Sequence, residues 1–113
     1  MGKYYIRKTK TGIKFDLKAS NGQVIGTSEV YKAMKSVRNG IESVRKNAPI
    51  AEIDGKTNPK FEVYSDKADK FRFRLLARNG KNILASEAYE SKTACLNGIE
   101  SVKKNADGEV VEA

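Results

Sequence analysis

The chain of 113 residues contains no histidine and one cysteine, and none of its apolar runs is long. Each shortage removes a class of chemistry. Without His the chain lacks the commonest general base and the commonest metal ligand, so no Ser-His-Asp or Cys-His nucleophile can be assembled. The expectation is a protein that is not an enzyme and takes no cofactor. Cys95 stands alone, which excludes an intramolecular disulfide and a cysteine-based zinc site and fits a reducing compartment. No stretch approaches the ~20 apolar residues that span a bilayer. A soluble, cytoplasmic protein without a membrane partner is therefore expected.

Acidic residues are the scarcer charge, 14 Asp and Glu against 22 Lys and Arg, for a net charge of +8. The excess is lopsided: residues 1–56 hold 12 basic and 5 acidic residues, whereas residues 57–113 hold 10 and 9. This permits an anionic partner, nucleic acid or an acidic protein, for the first half of the chain.

What the chain has in abundance is itself. A constant offset of 58 aligns Phe15 with Phe73, Leu17 with Leu75, Asn21-Gly22 with Asn79-Gly80, Ile25 with Ile83 and Tyr31 with Tyr89. The match is densest where Asn39-Gly40-Ile41-Glu42-Ser43-Val44 aligns with Asn97-Gly98-Ile99-Glu100-Ser101-Val102. Each copy is too short to bury more than a thin core, so the two are expected to share one. The organisation read from this is a single domain over residues 1–113, with repeat one at 1–54, a linker at 55–59 and repeat two at 60–113. A monomer with internal pseudo-symmetry is expected.

Each copy opens with a strand, a polar turn and a second strand, about 3–8 and 13–20 in repeat one and 60–65 and 71–78 in repeat two. Asn-Gly then signals a tight hairpin, because a type I′ turn needs positive φ angles that Asn and Gly tolerate. A third strand follows, about 23–28 and 81–86. After Ser-Glu-x-Tyr the apolar period lengthens from two to that of a helix. Val37, Ile41, Val44 and Ala48 form one stripe, and Cys95, Ile99, Val102 and Ala106 form the other. Ser91 is the expected N-cap of the second helix. Gly40 and Gly98 each cost about 1 kcal/mol against Ala in helix propensity, which implies a close approach of helix to sheet. Short runs at 50–53 and 109–112 can add a fourth strand. The fold expected is α+β: two β-β-β-α-β repeats forming one pseudo-two-fold domain, with two helices on one face of a largely antiparallel sheet.

The hairpin Phe73-Arg74-Leu75-x-Ala77-x-Asn79-Gly80, the Ser86-Glu87-x-Tyr89 corner and the run Asn97 to Ala106 resemble the YegP-like family of small bacterial proteins, in its two-repeat form. The resemblance implies β-β-β-α-β units paired around a single sheet, with each final strand crossing to pair with the other unit. It brings no activity, cofactor or catalytic residue. In the third strand Gly26-Thr27 departs from Leu84-Ala85 of repeat two, which leaves the length of that strand open.

The strand alternation that turns Phe15, Leu17, Phe73 and Leu75 inward turns Lys14, Lys18, Arg72, Arg74 and Arg78 outward, with Tyr5, Arg7 and Tyr64 on the same outer face. Basic side chains with interleaved aromatics on an open sheet suit single-stranded nucleic acid or another polyanion, through phosphate attraction and base stacking. The plainer alternative is an ordinary solvated antiparallel face, whose pattern is identical. A second class of function is a protein-interaction or assembly module using an uncovered face or edge.

Three further features are candidates. The Ser28-Glu29-x-Tyr31 and Ser86-Glu87-x-Tyr89 corners suit either a twice-repeated ligand pocket, or Tyr packing under the helix start with Ser and Glu satisfying its free N–H groups. Asn39 and Asn97 lie opposite the apolar stripes, positioned for a partner or for solvent. Cys95 aligns with Val37 and is expected to behave as a small buried hydrophobe.

Overall fold

The computed structural model describes residues 2–112. Repeat one runs β1 (Lys3–Lys8), β2 (Ile13–Lys18), β3 (Val24–Thr27), α1 (Met34–Asn47) and β4 (Glu52–Ile53). Repeat two runs β5 (Lys60–Ser65), β6 (Phe71–Leu76), β7 (Asn82–Ala85), α2 (Lys92–Asn105) and β8 (Glu109–Glu112). All eight strands join one sheet in the order β4-β5-β6-β7-β3-β2-β1-β8. Each final strand does cross over. β4 of repeat one runs parallel to β5, and β8 of repeat two runs parallel to β1, while every other pairing is antiparallel. The pseudo-two-fold axis passes between β3 and β7, which meet at Thr27 and Ala85.

The core explains why neither copy suffices. α1 packs on β2 of its own repeat and on β7 of the other; α2 packs on β6 of its own and on β3 of the other. Between helices and sheet lie Tyr4, Phe15, Leu17, Val37, Ile41 and Val44, all essentially inaccessible, and a matching set from repeat two. Tyr4 meets Phe15 edge-on at 5.7 Å, and Phe61 meets Phe73 the same way at 5.9 Å. The Tyr4 hydroxyl donates 2.7 Å across the repeats to the Ala106 carbonyl at the end of α2. Cys95 is fully buried on the α2 stripe, and burial pushes its thiol above the usual value, which fits an unreactive apolar filler.

Several local expectations hold and others are revised. Ser91 caps α2 by accepting from the Ala94 N–H at 3.1 Å, whereas α1 starts at Ala33 without a side-chain cap. Asn-Gly falls in both hairpin turns, but not as the type I′ turn expected: only the glycines take positive φ, Gly22 at 85° and Gly80 at 86°, and their N–H groups donate to the Ala19 and Ala77 carbonyls at 2.9 and 2.8 Å, a three-residue loop that ends on a left-handed glycine. The second strands stop at Lys18 and Leu76, short of the ranges expected, because the bulges opposite Leu17/Lys18 and Leu75/Leu76 end the regular ladder. Ile50 falls in a 3-10 turn (Ala48–Ile50) rather than in a strand, because Pro49 favours a helical φ there. The third strands are four residues long in both repeats. Gly26 differs from Leu84 for a packing reason. Leu84 is buried beside the axis, and a Cβ on Gly26 would lie 2.7 Å from two of its side-chain carbons. One leucine fits at the axis; two collide.

Candidate functional site: the outer sheet face

The register confirms the alternation that defines the outer face. Tyr5 stands opposite Asp16, Arg7 opposite Lys14 and Lys3 opposite Lys18. In repeat two Glu62 stands opposite Arg74 and Tyr64 opposite Arg72. Arg78 is the exception, since it lies beyond β6 in the hairpin turn, exposed but off the strand.

Charge pairing divides these residues sharply. Arg7 donates to Asp16 at 2.8 Å, Arg72 to Asp66 at 2.7 Å and Arg74 to Glu62 at 2.6 Å. The Arg74 hydrogen bond holds Glu62 below the usual carboxylate range, and the Arg72 hydrogen bond does the same for Asp66. Three of the arginines that the alternation offers to a polyanion thus already hold a carboxylate. Lys14, Lys18 and Arg78 make no ion pair among the described residues. Asp16 shares the outward alternation of Lys14 and Lys18, but none of the three pairings was foreseen, although those of Asp16 and Glu62 follow from cross-strand register once it is known.

The aromatics differ as well. The Lys18 ammonium lies 4.4 Å from the Tyr5 ring centre, and the Arg74 guanidinium 5.3 Å from that of Tyr64. Around Tyr5 the surface dips into a niche of about 140 Å³ edged by Lys3, Tyr5, Lys18, Ala19, Ser20 and Gly22. Lys3, which the alternation also turns outward, completes it and was missed; its ammonium is 3.8 Å from Glu109. In repeat two Glu62 takes the place of Tyr5 and Leu76 that of Lys18, so the ring and the ammonium of this niche are not repeated there.

At the strand-to-helix corners the serines and tyrosines have structural roles. Ser28 Oγ accepts from the Phe15 N–H at 2.9 Å and donates to the Glu29 carbonyl at 2.8 Å, and Ser86 does the same with Phe73 and Glu87. These serines therefore satisfy strand groups, not helix N–H groups, because the corner is an extension of the β2 and β6 ladders. Tyr31 and Tyr89 bridge to Ile13 and Phe71 and slide under the middle of the helices. An added Cβ at Gly40 would lie 2.7 Å from the Tyr31 hydroxyl, and at Gly98 2.4 Å from that of Tyr89. The glycines thus admit the phenol rings, and burial raises both phenols above their ordinary value. Among the described residues no three His, Cys, Asp or Glu side chains converge on a point that could hold a metal ion, and no helix is long and apolar enough to cross a membrane.

Comparison with known proteins agrees with this architecture. A family model described as a domain of unknown function, DUF1508, matches twice, over residues 10–54 and 66–112. The UPF0339 protein YegP of Yersinia pestis is 43% identical across 99% of this chain and 95% of its own length. A UPF0339 protein of Treponema denticola is 67% identical over 54 residues, 47% of this chain but 93% of that relative, which is thus about one repeat long. The solution NMR structure of UPF0339 protein SO3888 from Shewanella oneidensis superposes with a TM-score of 0.86 at 38% identity, covering 98% of this chain and 90% of that one.

Proposed function

For a chain that belongs to the DUF1508 family, in its tandem form, and whose relatives are of unknown function, we propose a binding role in which the repeat-one half of the outer sheet face takes a polyanion, single-stranded nucleic acid being the form that suits its aromatics. The observation that carries this reading is the niche edged by Lys3, Tyr5 and Lys18, in which the Lys18 ammonium lies 4.4 Å from the Tyr5 ring centre. A ring with an ammonium group beside it offers a stacking surface and phosphate neutralisation within one nucleotide's reach. Lys14 extends the basic track along β2, while Arg7 adds less, because it holds the buried Asp16 carboxylate, which also accepts from Thr27 Oγ1. Arg72, Arg74 and Tyr64 contribute less, since their half of the face is held in its own ion pairs. Arg78 adds attraction from the turn.

Fluorescence titration of a labelled single-stranded oligonucleotide tests the reading. Log affinity should fall linearly with log salt, by roughly 0.7 per phosphate neutralised. Tyr5→Ala should weaken binding by about 1–3 kcal/mol if bases stack there, and Lys14→Ala with Lys18→Ala should flatten the salt slope. Arg72→Ala with Arg74→Ala should change both far less. Equal effects from both pairs, with Tyr5→Ala silent, would reduce the binding to diffuse attraction by a basic protein.

A further inference from the structure

On the helix side of the sheet, two clefts open between the repeats. The first, of about 270 Å³, lies between α1 and the β6–β7 hairpin of the other repeat, with Tyr31, Asn39, Gly40, Ser43, Asn79 and Lys81 on its walls. The second, of about 190 Å³, lies between α2 and the β2–β3 hairpin, with Tyr89, Asn97, Gly98, Ser101, Asn21 and Gln23. All nine residues lining one cleft are those lining the other moved by 58 positions, and seven of the nine are the same amino acid. The exceptions are Ser36, which becomes Ala94, and Lys81, which becomes Gln23.

Folding accounts for most of these identities but not all. Gly40 and Gly98 admit the Tyr rings, the hairpin Asn residues fix the turns, and Ser43 and Ser101 accept from the Asn47 and Asn105 side-chain amides at 3.1 and 3.3 Å. Asn39 and Asn97 have no such role. Both are exposed, neither side chain hydrogen-bonds within the described protein, and Asn is a poor helix former in mid-helix. The four residues before them differ between the helices, Lys35-Ser36-Val37-Arg38 against Thr93-Ala94-Cys95-Leu96. The Tyr31 and Tyr89 hydroxyls also find no hydrogen-bond partner in the described protein. In each cleft a free phenol and a free amide therefore face the same space, and no carboxylate lines either one.

We infer that the two clefts are paired binding sites for a small hydroxyl-bearing molecule, and that the first prefers one carrying an oxyanion, a phosphate or a carboxylate. The phenol and the amide supply donors and acceptors for hydroxyl groups in both clefts. Lys81 sets the preference. Its ammonium lies 5.7 Å from the Tyr31 ring centre, at the mouth of the first cleft, without a carboxylate partner among the described residues. An oxyanion there gains a charge-assisted hydrogen bond that Gln23 cannot offer in the second cleft.

The test is a 1H–15N NMR titration of the full chain with glucose 6-phosphate, gluconate and glucose, the first two separating phosphate from carboxylate. The sugar phosphate or the gluconate should move the Asn39 side-chain amide, Gly40 and Lys81 at lower concentration than glucose does. Asn97 and Gly98 should respond to all three alike. Lys81→Gln should weaken anion binding in the first cleft about tenfold, and Gln23→Lys should strengthen it in the second by a similar factor. Asn39→Ala should lower affinity in the first cleft alone while slightly raising the melting temperature, since Ala is the better helix former. Cleft signals that stay still at tens of millimolar of all three probes would overturn the inference. An anion preference unchanged by Lys81→Gln would overturn its charge component.

Discussion

The two faces of the sheet have treated the internal repeat in opposite ways. On the outer face the copies disagree: Tyr5 aligns with Glu62, Arg7 with Tyr64, Asp16 with Arg74 and Lys18 with Leu76. In the clefts on the helix face they agree at seven positions of nine. Most of each half of the outer face comes from one repeat, with only the final strand supplied by the other, so each half can change with little effect on the other. Each cleft takes its helix wall from one repeat and its hairpin wall from the other, so a substitution in one copy is felt by both. The difference predicts a one-sided outer surface and a doubled inner one.

Cutting the chain is the harshest way to break this comparison, because it removes every shared wall at once. Residues 1–58 and 59–113, expressed apart, should be unfolded or should self-pair, as each lacks the strand and the helix that complete its core. Mixed together, they should prefer the heterodimer. Two copies of repeat two would force Leu84 against Leu84 at the axis, and two copies of repeat one would leave the space beside Gly26 empty. Size-exclusion chromatography and circular dichroism decide the matter, and a folded monomeric half would contradict the shared core.

Point changes at the shared walls come next. Leu84→Ala should destabilise the intact chain by about 2–5 kcal/mol in urea unfolding, as expected for a buried leucine. Gly98→Leu should cost about 1–3 kcal/mol through overpacking on Tyr89 and Phe73, although propensity alone would favour Leu by up to about 1 kcal/mol. A raised melting temperature for Gly98→Leu would mean that the phenol does not lie under the helix.

The smallest effect belongs to the outer face of repeat two. Glu62 and Asp66 are held below the usual carboxylate range by Arg74 and Arg72. Their contribution to stability is complete above the unfolded carboxylate pKa, about 4, and is lost as pH falls through their lower folded values. Both carboxylates are half-buried at the sheet surface and still reached by solvent, so the change in melting temperature should be slight. Replacing both by their amides should flatten it. A large acid-induced loss that disappears in the double variant would show that these pairs hold the sheet together.

The architecture was legible in the sequence because it was written twice. The sites of the Asn-Gly turns and the apolar stripes of both helices follow from local rules applied at two places, the Ser91 cap follows from one applied at a single place, and the crossing of the final strands followed from the family resemblance. What escaped was what depends on neighbours distant in sequence. Gly26 reads as an irregular strand until Leu84 is seen beside it. Ser28 reads as a helix cap until its hydroxyl is found on the Phe15 N–H. Arg72 reads as free until Asp66 folds back from the turn to meet it. The clefts were legible only in part, as a twice-repeated pocket at Tyr31 and Tyr89 whose other walls come from distant residues. Asn39 was visible as an exposed, repeated residue, but the hairpin of the other repeat that faces it was not.

The claim that the outer face is one-sided can be tested in a single spectrum. A 1H–15N NMR titration of the full chain with a short single-stranded oligonucleotide should shift Tyr5, Lys14, Lys18 and their strand neighbours in β1 and β2. Glu62, Tyr64, Arg72 and Arg74 should stay nearly unmoved. Equal shifts in both halves of the face, or shifts confined to the helices, would contradict the account.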